Sequence, residues 1–218
     1  MAQPVSPHSV DRRQVFINCP FDEDYWPVMK AVVFAIFACG FTPRCAVDAD
    51  DQSEGRLEKI IRLIRECRLG IHDLCRNGPD PGHGLARFNM PLELGLFMGA
   101  TLFGKERKAL LIMDAEPWAY HKFVSDLKGR DLRIHRHDPS LAVSHVRDWL
   151  NAQKITPALP GGKEINRRYR QFLHDLPALL RSARLDDSEV SKPEHFIDWN
   201  YLVTEWLAAT LPQPVSRP

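Results

Sequence analysis

The chain predicts an α/β fold, a doubly wound, five-stranded parallel sheet with a C-terminal helical extension. Two observations carry that prediction. Over residues 13–155, short apolar runs of strand length alternate with segments of helix length, and the links between them are mostly short. Parallel strands need crossover connections, so this alternation implies a parallel sheet with helices on both faces. Beyond that stretch the pattern changes to two helical segments with no strand between them.

The first strand is read in Gln14-Val15-Phe16-Ile17-Asn18-Cys19, after a Pro- and Ser-containing leader over 1–12, and Pro20 stops it. The mostly apolar run from Tyr25 to Cys39 is a helix closed by Gly40. Phe41 to Val47 is the second strand. Ser53 is the expected N-cap of the next helix, in which Leu57, Ile60, Ile61 and Ile64 make one apolar face. Leu69-Gly70-Ile71-His72-Asp73 is the third strand, and a Gly- and Pro-rich loop follows from Arg76 to about Arg87.

A glycine-notched apolar helix comes next, with Asn89 as its expected N-cap. Ala109-Leu110-Leu111-Ile112-Met113 forms the fourth strand, Pro117 to Leu127 a helix, and Asp131 to His135 the fifth strand. Leu141, His145, Val146, Trp149 and Leu150 mark another helical face before a linker containing Pro157, Pro160, Gly161 and Gly162. The extension, 156–211, holds two more helices. One is lined by Ile165, Tyr169, Phe172, Leu173, Leu176 and Leu180, the other by Phe196, Trp199, Val203, Trp206 and Leu207, and a tail over 212–218 follows. Their aromatic faces would suit an interface.

Composition narrows the function classes. The 218 residues are 44% hydrophobic and 26% charged with a formal net charge of +1, which is ordinary for a globular protein and gives no basic footprint for nucleic acid. The longest apolar run, Ala31 to Cys39, falls far short of the roughly 20 residues that span a bilayer. Five cysteines without paired spacing and the absence of a signal peptide point to a reduced, cytoplasmic setting. No Gly-x-Ser-x-Gly elbow, phosphate-binding Gly-x-x-x-x-Gly-Lys loop or four-ligand metal spacing occurs, so no metal or cofactor is expected.

Ligands of open parallel sheets bind beyond the carboxyl ends of the strands. Asn18, Asp48, Asp73 and Asp114 each close a predicted strand there, and Phe21, Asp22, Arg87, Phe88 and Asn89 lie on loops of the same edge. Glu93 is the chief candidate for chemistry, a lone carboxylate near the start of an apolar helix, where burial of its charge is unfavourable unless compensated. Gly95 and Gly99 form a smooth strip on that helix, expected to face the sheet.

The stretch Val15-Phe16-Ile17-Asn18-Cys19-Pro20-Phe21, then Ile71-His72-Asp73-Leu74, then Arg87-Phe88-Asn89-Met90-Pro91-Leu92-Glu93-Leu94-Gly95, resembles the TIR-like and nucleoside 2-deoxyribosyltransferase-like group of flavodoxin-like domains. The resemblance spans roughly residues 13–138. The approach to the glutamate is this chain's own: the deoxyribosyltransferases' Asp-Ser-Gly-Thr is replaced by Ala86-Arg87-Phe88-Asn89-Met90-Pro91, and the TIR group's Trp-Cys is missing.

The resemblance implies a glutamate, here Glu93, acting at the glycosidic carbon of NAD or a nucleoside, and an acidic residue, here Asp73, holding sugar or base. It makes NAD a substrate rather than a cofactor. On this reading Asp73 and Asn89 hold ribose hydroxyls, Arg87 neutralises a phosphate or orients the glutamate, and Phe21, Trp26 and Phe88 offer stacking surfaces, with Asn18 and Asp22 on the same rim. The group's role in bacterial defence or signalling, often through self-assembly, implies a homo-oligomer. The rival expectation is a nucleotide-sensing or adaptor module that binds through the same edge without turnover.

Overall fold

The computed structural model describes residues 11–48, 53–76, 78, 84, 88–156 and 158–210. The chain divides into two compact units, Met1–Pro20 with Phe41–Ile134, and Phe21–Gly40 with His135–Pro218.

The first unit holds the sheet. Its strands are β1 (Asp11–Asn18), β2 (Thr42–Arg44), β3 (Cys67–Asp73), β4 (Ala109–Asp114) and β5 (Arg133–Ile134). They pair in the order β2-β1-β3-β4-β5, and every pairing is parallel. This is the doubly wound, flavodoxin-like order, in which the path reverses direction at β1. The fold class expected from the alternation is therefore the one observed. Two helices of this unit are α2 (Arg56–Glu66) and α3 (Asn89–Phe103).

Two clusters fill this unit. Phe16, Ile60, Leu63, Ile64, Cys67 and Phe97 form one, and Leu74, Met90, Leu94, Ile112, Tyr120 and Leu127 form the other. Gly70 makes the first possible. A Cβ there would stand 2.7 Å from the Phe97 ring and 2.9 Å from His72 Nε2, so only glycine lets Phe97 of α3 settle onto β3. Lys108 closes the far end of α2, its Nζ donating to the Cys67 carbonyl at 2.7 Å and to that of Arg65 at 3.5 Å, where a helix's last carbonyls are unsatisfied.

The second unit is helical: α1 (Trp26–Ala38), α4 (Pro139–Ala152), α5 (Gly162–Ala183) and α6 (Phe196–Thr210). Phe34 of α1 lies against Tyr169 and Phe172 of α5 and Trp206 of α6, with ring centroids 5.1 to 6.0 Å apart. Buried indoles keep partners for their N–H groups. Trp26 donates to the Val190 carbonyl at 2.9 Å, Trp199 to that of Lys30 at 3.3 Å, and Trp206 to Asp175 Oδ2 at 2.9 Å. Trp26 is thus a core residue rather than a stacking surface. The aromatic faces of α5 and α6, expected at an interface, are spent inside this unit instead: Phe172, Phe196 and Trp199 are wholly buried.

Other boundaries shift for local reasons. The α2 N-cap is Gly55, not Ser53, and that of α3 is Phe88, not Asn89. Pro91 then occupies the third helical position, still among those whose N–H lacks an intrahelical acceptor. The helix expected over Pro117 to Leu127 is two 3-10 turns, Ala119–Lys122 and Ser125–Leu127. Trp118 at φ +65° and Val124 at φ −134° leave the helical basin and break it. β5 shrinks to two residues.

Candidate functional site

Glu93 lies one turn into α3, on the face that also carries Met90, Leu94 and Phe97, and is 4% exposed. Beyond the first turn the helix N-terminus does little for its charge. Burial pushes its pKa up to about 7, while the Arg56 guanidinium acts in the opposite sense. Arg56 Nη2 approaches Glu93 Oε1 at 3.7 Å from the first residue of α2. The arginine side chain is 57% exposed against 5% for the glutamate, so one end of the pair faces water and the other is enclosed.

The start of α3 is tied to the sheet by Asn18. Its Nδ2 donates to the Met90 carbonyl at 2.8 Å and to His72 Nδ1 at 3.0 Å. Both amide protons are therefore engaged within the protein, and Asn18 secures the turn that precedes Glu93. An amide nitrogen can only donate, so His72 Nδ1 is the acceptor and the neutral ring carries its proton on Nε2. Complete burial holds the His72 pKa down at about 3. The imidazole stands edge-on to Phe16 and Phe97, with centroids 5.8 and 5.0 Å away. It is a packing and hydrogen-bonding residue, not a proton carrier near neutrality.

Asp73 closes β3 fully buried, and its Oδ1 accepts the Cys75 backbone N–H at 3.0 Å. Asp114 ends the neighbouring strand in the same manner, Oδ1 accepting from Ala115 N at 2.7 Å. Asp48 has a different role, joined to Arg44 Nε at 2.5 Å. Phe88 is 71% exposed, and Asn89, one turn before the buried Glu93, is exposed at the start of the helix. Arg87 lies outside the described residues. Phe21 and Asp22 are half-buried in the helical unit, where Asp22 Oδ1 accepts Tyr25 N at 2.9 Å at the entry to α1.

The glycine strip is a correction. Gly95 is exposed, with nothing within 4 Å of the place a Cβ would take, and at Gly99 the nearest atom is the exposed Phe103 ring at 3.9 Å. The strip points away from the sheet because Glu93, Leu94 and Phe97 claim the inward face. Leu92 and Leu102 flank it, 57% and 70% exposed.

Sequence reasoning missed three residues here. Gly70 carried a signal, an isolated glycine in an apolar strand, which marks a close approach. His72 showed only as a polar residue in a buried strand. Arg56 showed nothing, because an arginine at a helix start points to no partner so distant in the chain. No protein-family model matches the chain, and no curated protein does.

Proposed function

We propose that this chain cleaves, or transfers across, the N-glycosidic bond of NAD or a related nucleotide or nucleoside, with Glu93 as the catalytic carboxylate. The observation that carries the reading is an enclosed glutamate, close to half-ionised at neutral pH, on the helix that follows the third strand of a doubly wound sheet. Breaking the bond between C1′ and the base nitrogen sends the electron pair to the leaving base and leaves oxocarbenium character on the ribose. An ionised carboxylate in a water-poor setting stabilises that cation or captures it as an ester. Water or an acceptor nucleophile then bonds to C1′ and releases its proton, to the carboxylate or to solvent. From NAD the pyridinium leaves as neutral nicotinamide and needs no acid, which suits a site built on one carboxylate.

The test is incubation of the purified protein with NAD and a panel of nucleosides, followed by chromatography for free nicotinamide or base. Release should fall at least about 100-fold in Glu93→Gln with the fold intact, as expected for loss of a charge-stabilising group. Release that is the same in both proteins removes Glu93 from the chemistry. NAD binding without release in either protein favours the sensing or adaptor module.

A further inference from the structure

A concave site lies in the sheet-bearing unit, and Glu93 is not among its lining residues. The segment from β4 to β5 lines an open cleft of about 440 Å³, within the range of small-molecule sites. Trp118, Tyr120 and Leu132 give it apolar walls, and Arg130, Asp131 and Arg133 bring charge to it.

The way these walls are held is informative. Trp118 adopts φ +65°, a left-handed conformation that is unfavourable for a bulky residue, yet its indole is 66% exposed and so is not compensated by burial in the core. The His121 N–H bonds to the Trp118 carbonyl at 3.0 Å, and the two rings lie 5.3 Å apart, which braces the exposed indole. Gly129, at φ +87°, makes the turn that brings Arg130 round, and Arg130 N bonds to the Leu127 carbonyl at 3.1 Å. Tyr120 is buried beneath, its hydroxyl reaching the Arg130 carbonyl at 3.4 Å. Arg133 is fixed by its place in β5, in parallel register with Met113. Both arginine side chains are exposed, and neither is committed to an ion pair among the described residues. A braced, open indole beside two available guanidiniums is complementary to a planar heteroaromatic ring that carries an anion, because the ring stacks on the indole and the forked N–H groups match phosphate oxygens.

We propose that this cleft binds a nucleotide, its base stacked on Trp118 and its phosphate held by Arg130 and Arg133. The Asp131 carboxylate supplies an acceptor for sugar hydroxyls or an exocyclic amine. The site is separate from Glu93 and stands whether or not Glu93 is catalytic.

The experiment is isothermal titration calorimetry on the full chain with the monophosphates AMP, GMP, CMP and UMP, and with adenosine and inorganic phosphate as controls. At least one monophosphate should bind, and more tightly than either control. Stacking and charged hydrogen bonds of this kind contribute about 1 to 3 kcal/mol each, so Trp118→Ala and the Arg130→Ala/Arg133→Ala pair should each weaken binding about 10-fold or more. Trp118→Phe should restore part of the loss. All the substituted residues except Glu93 are exposed at the cleft, so the fold should survive, as circular dichroism would verify. Absence of binding by all four monophosphates overturns the proposal. So does binding that is indifferent to Trp118→Ala, or phosphate alone binding as tightly as the nucleotides. Binding lost only in Glu93→Gln would place the nucleotide at the other site and likewise refute it.

Discussion

At the scale of single residues, Glu93 sets a pH signature. Its folded-state pKa is raised to about 7 from an ordinary value of 4.5, so between these limits the folded protein holds a proton that the unfolded chain has released. Stability contributed by that proton is present at low pH and declines as pH climbs through this window. The decline should total roughly 3 kcal/mol, because each tenfold difference in proton affinity between the folded and unfolded chain is worth about 1.4 kcal/mol. Glu93→Gln has no such proton to lose, so its thermal midpoint relative to the parent should climb from pH 5 to pH 8; a constant difference across that range would mean the carboxylate is not desolvated. Activity has the opposite slope, because the carboxylate must be ionised to meet a cationic sugar carbon. The acid limb of kcat/KM should lie near pH 7, and Arg56→Ala should move it to higher pH, since the arginine acts against burial. Arg56→Lys should move it less. A limb that ignores Arg56 would make that pair incidental. The weight placed on Glu93 was legible in the sequence because a carboxylate among apolar neighbours is conspicuous. Arg56 was not, because pairing across two helices depends on where the sheet sets them.

At the scale of elements, α3 shows what helical periodicity can and cannot decide. The helix is apolar on most sides, so the pattern marks its existence but not which stripe turns inward. Glycines on a helix are natural candidates for close approach, yet the structure seats α3 through Phe97 on Gly70, with the notch on the strand rather than the helix. Two substitutions of the same kind should therefore differ in sign. Gly95→Ala adds a methyl group to open space in a helix interior, and should stabilise the protein by about 0.5 to 1 kcal/mol through reduced chain entropy. Gly70→Ala drives a methyl group into the Phe97 ring and His72, and should destabilise by about 1 to 3 kcal/mol. Urea denaturation measures both. The reverse pair of signs would restore the glycine strip of α3 as its packing face. The parallel sheet was legible from the alternation of segments, whereas the broken helix after β4 was not, since the left-handed Trp118 that breaks it has no sequence signal comparable to glycine.

At the scale of the whole molecule, the chain passes from the sheet-bearing unit to the helical one after Pro20, returns after Gly40 and leaves again after Ile134. The Pro- and Gly-containing segment near Gly161 marks a change of pattern along the sequence. The contacts of Phe34 with Tyr169, Phe172 and Trp206 join distant segments, and periodicity within one segment cannot show them. One consequence concerns unfolding. Helix α1 is the connection between β1 and β2, which are direct neighbours in the sheet. Neither unit is a continuous stretch of chain, so neither can be released without disturbing the path of the other, and a single cooperative transition is expected. The cysteines report it site by site. All five are buried thiols outside any disulfide, with Cys39 in the helical unit and Cys19, Cys45, Cys67 and Cys75 in the other. Burial also pushes the thiols of Cys39 and Cys67 up to about 12 and raises those of Cys45 and Cys75, which removes the reactive thiolate. A maleimide pulse across a urea series, with each site read by mass spectrometry, should find all five inert in the native protein and labelled with one midpoint that coincides with the loss of helical circular dichroism. Labelling of Cys39 at distinctly lower urea than the other four would show the helical unit opening by itself and refute the expectation of one transition.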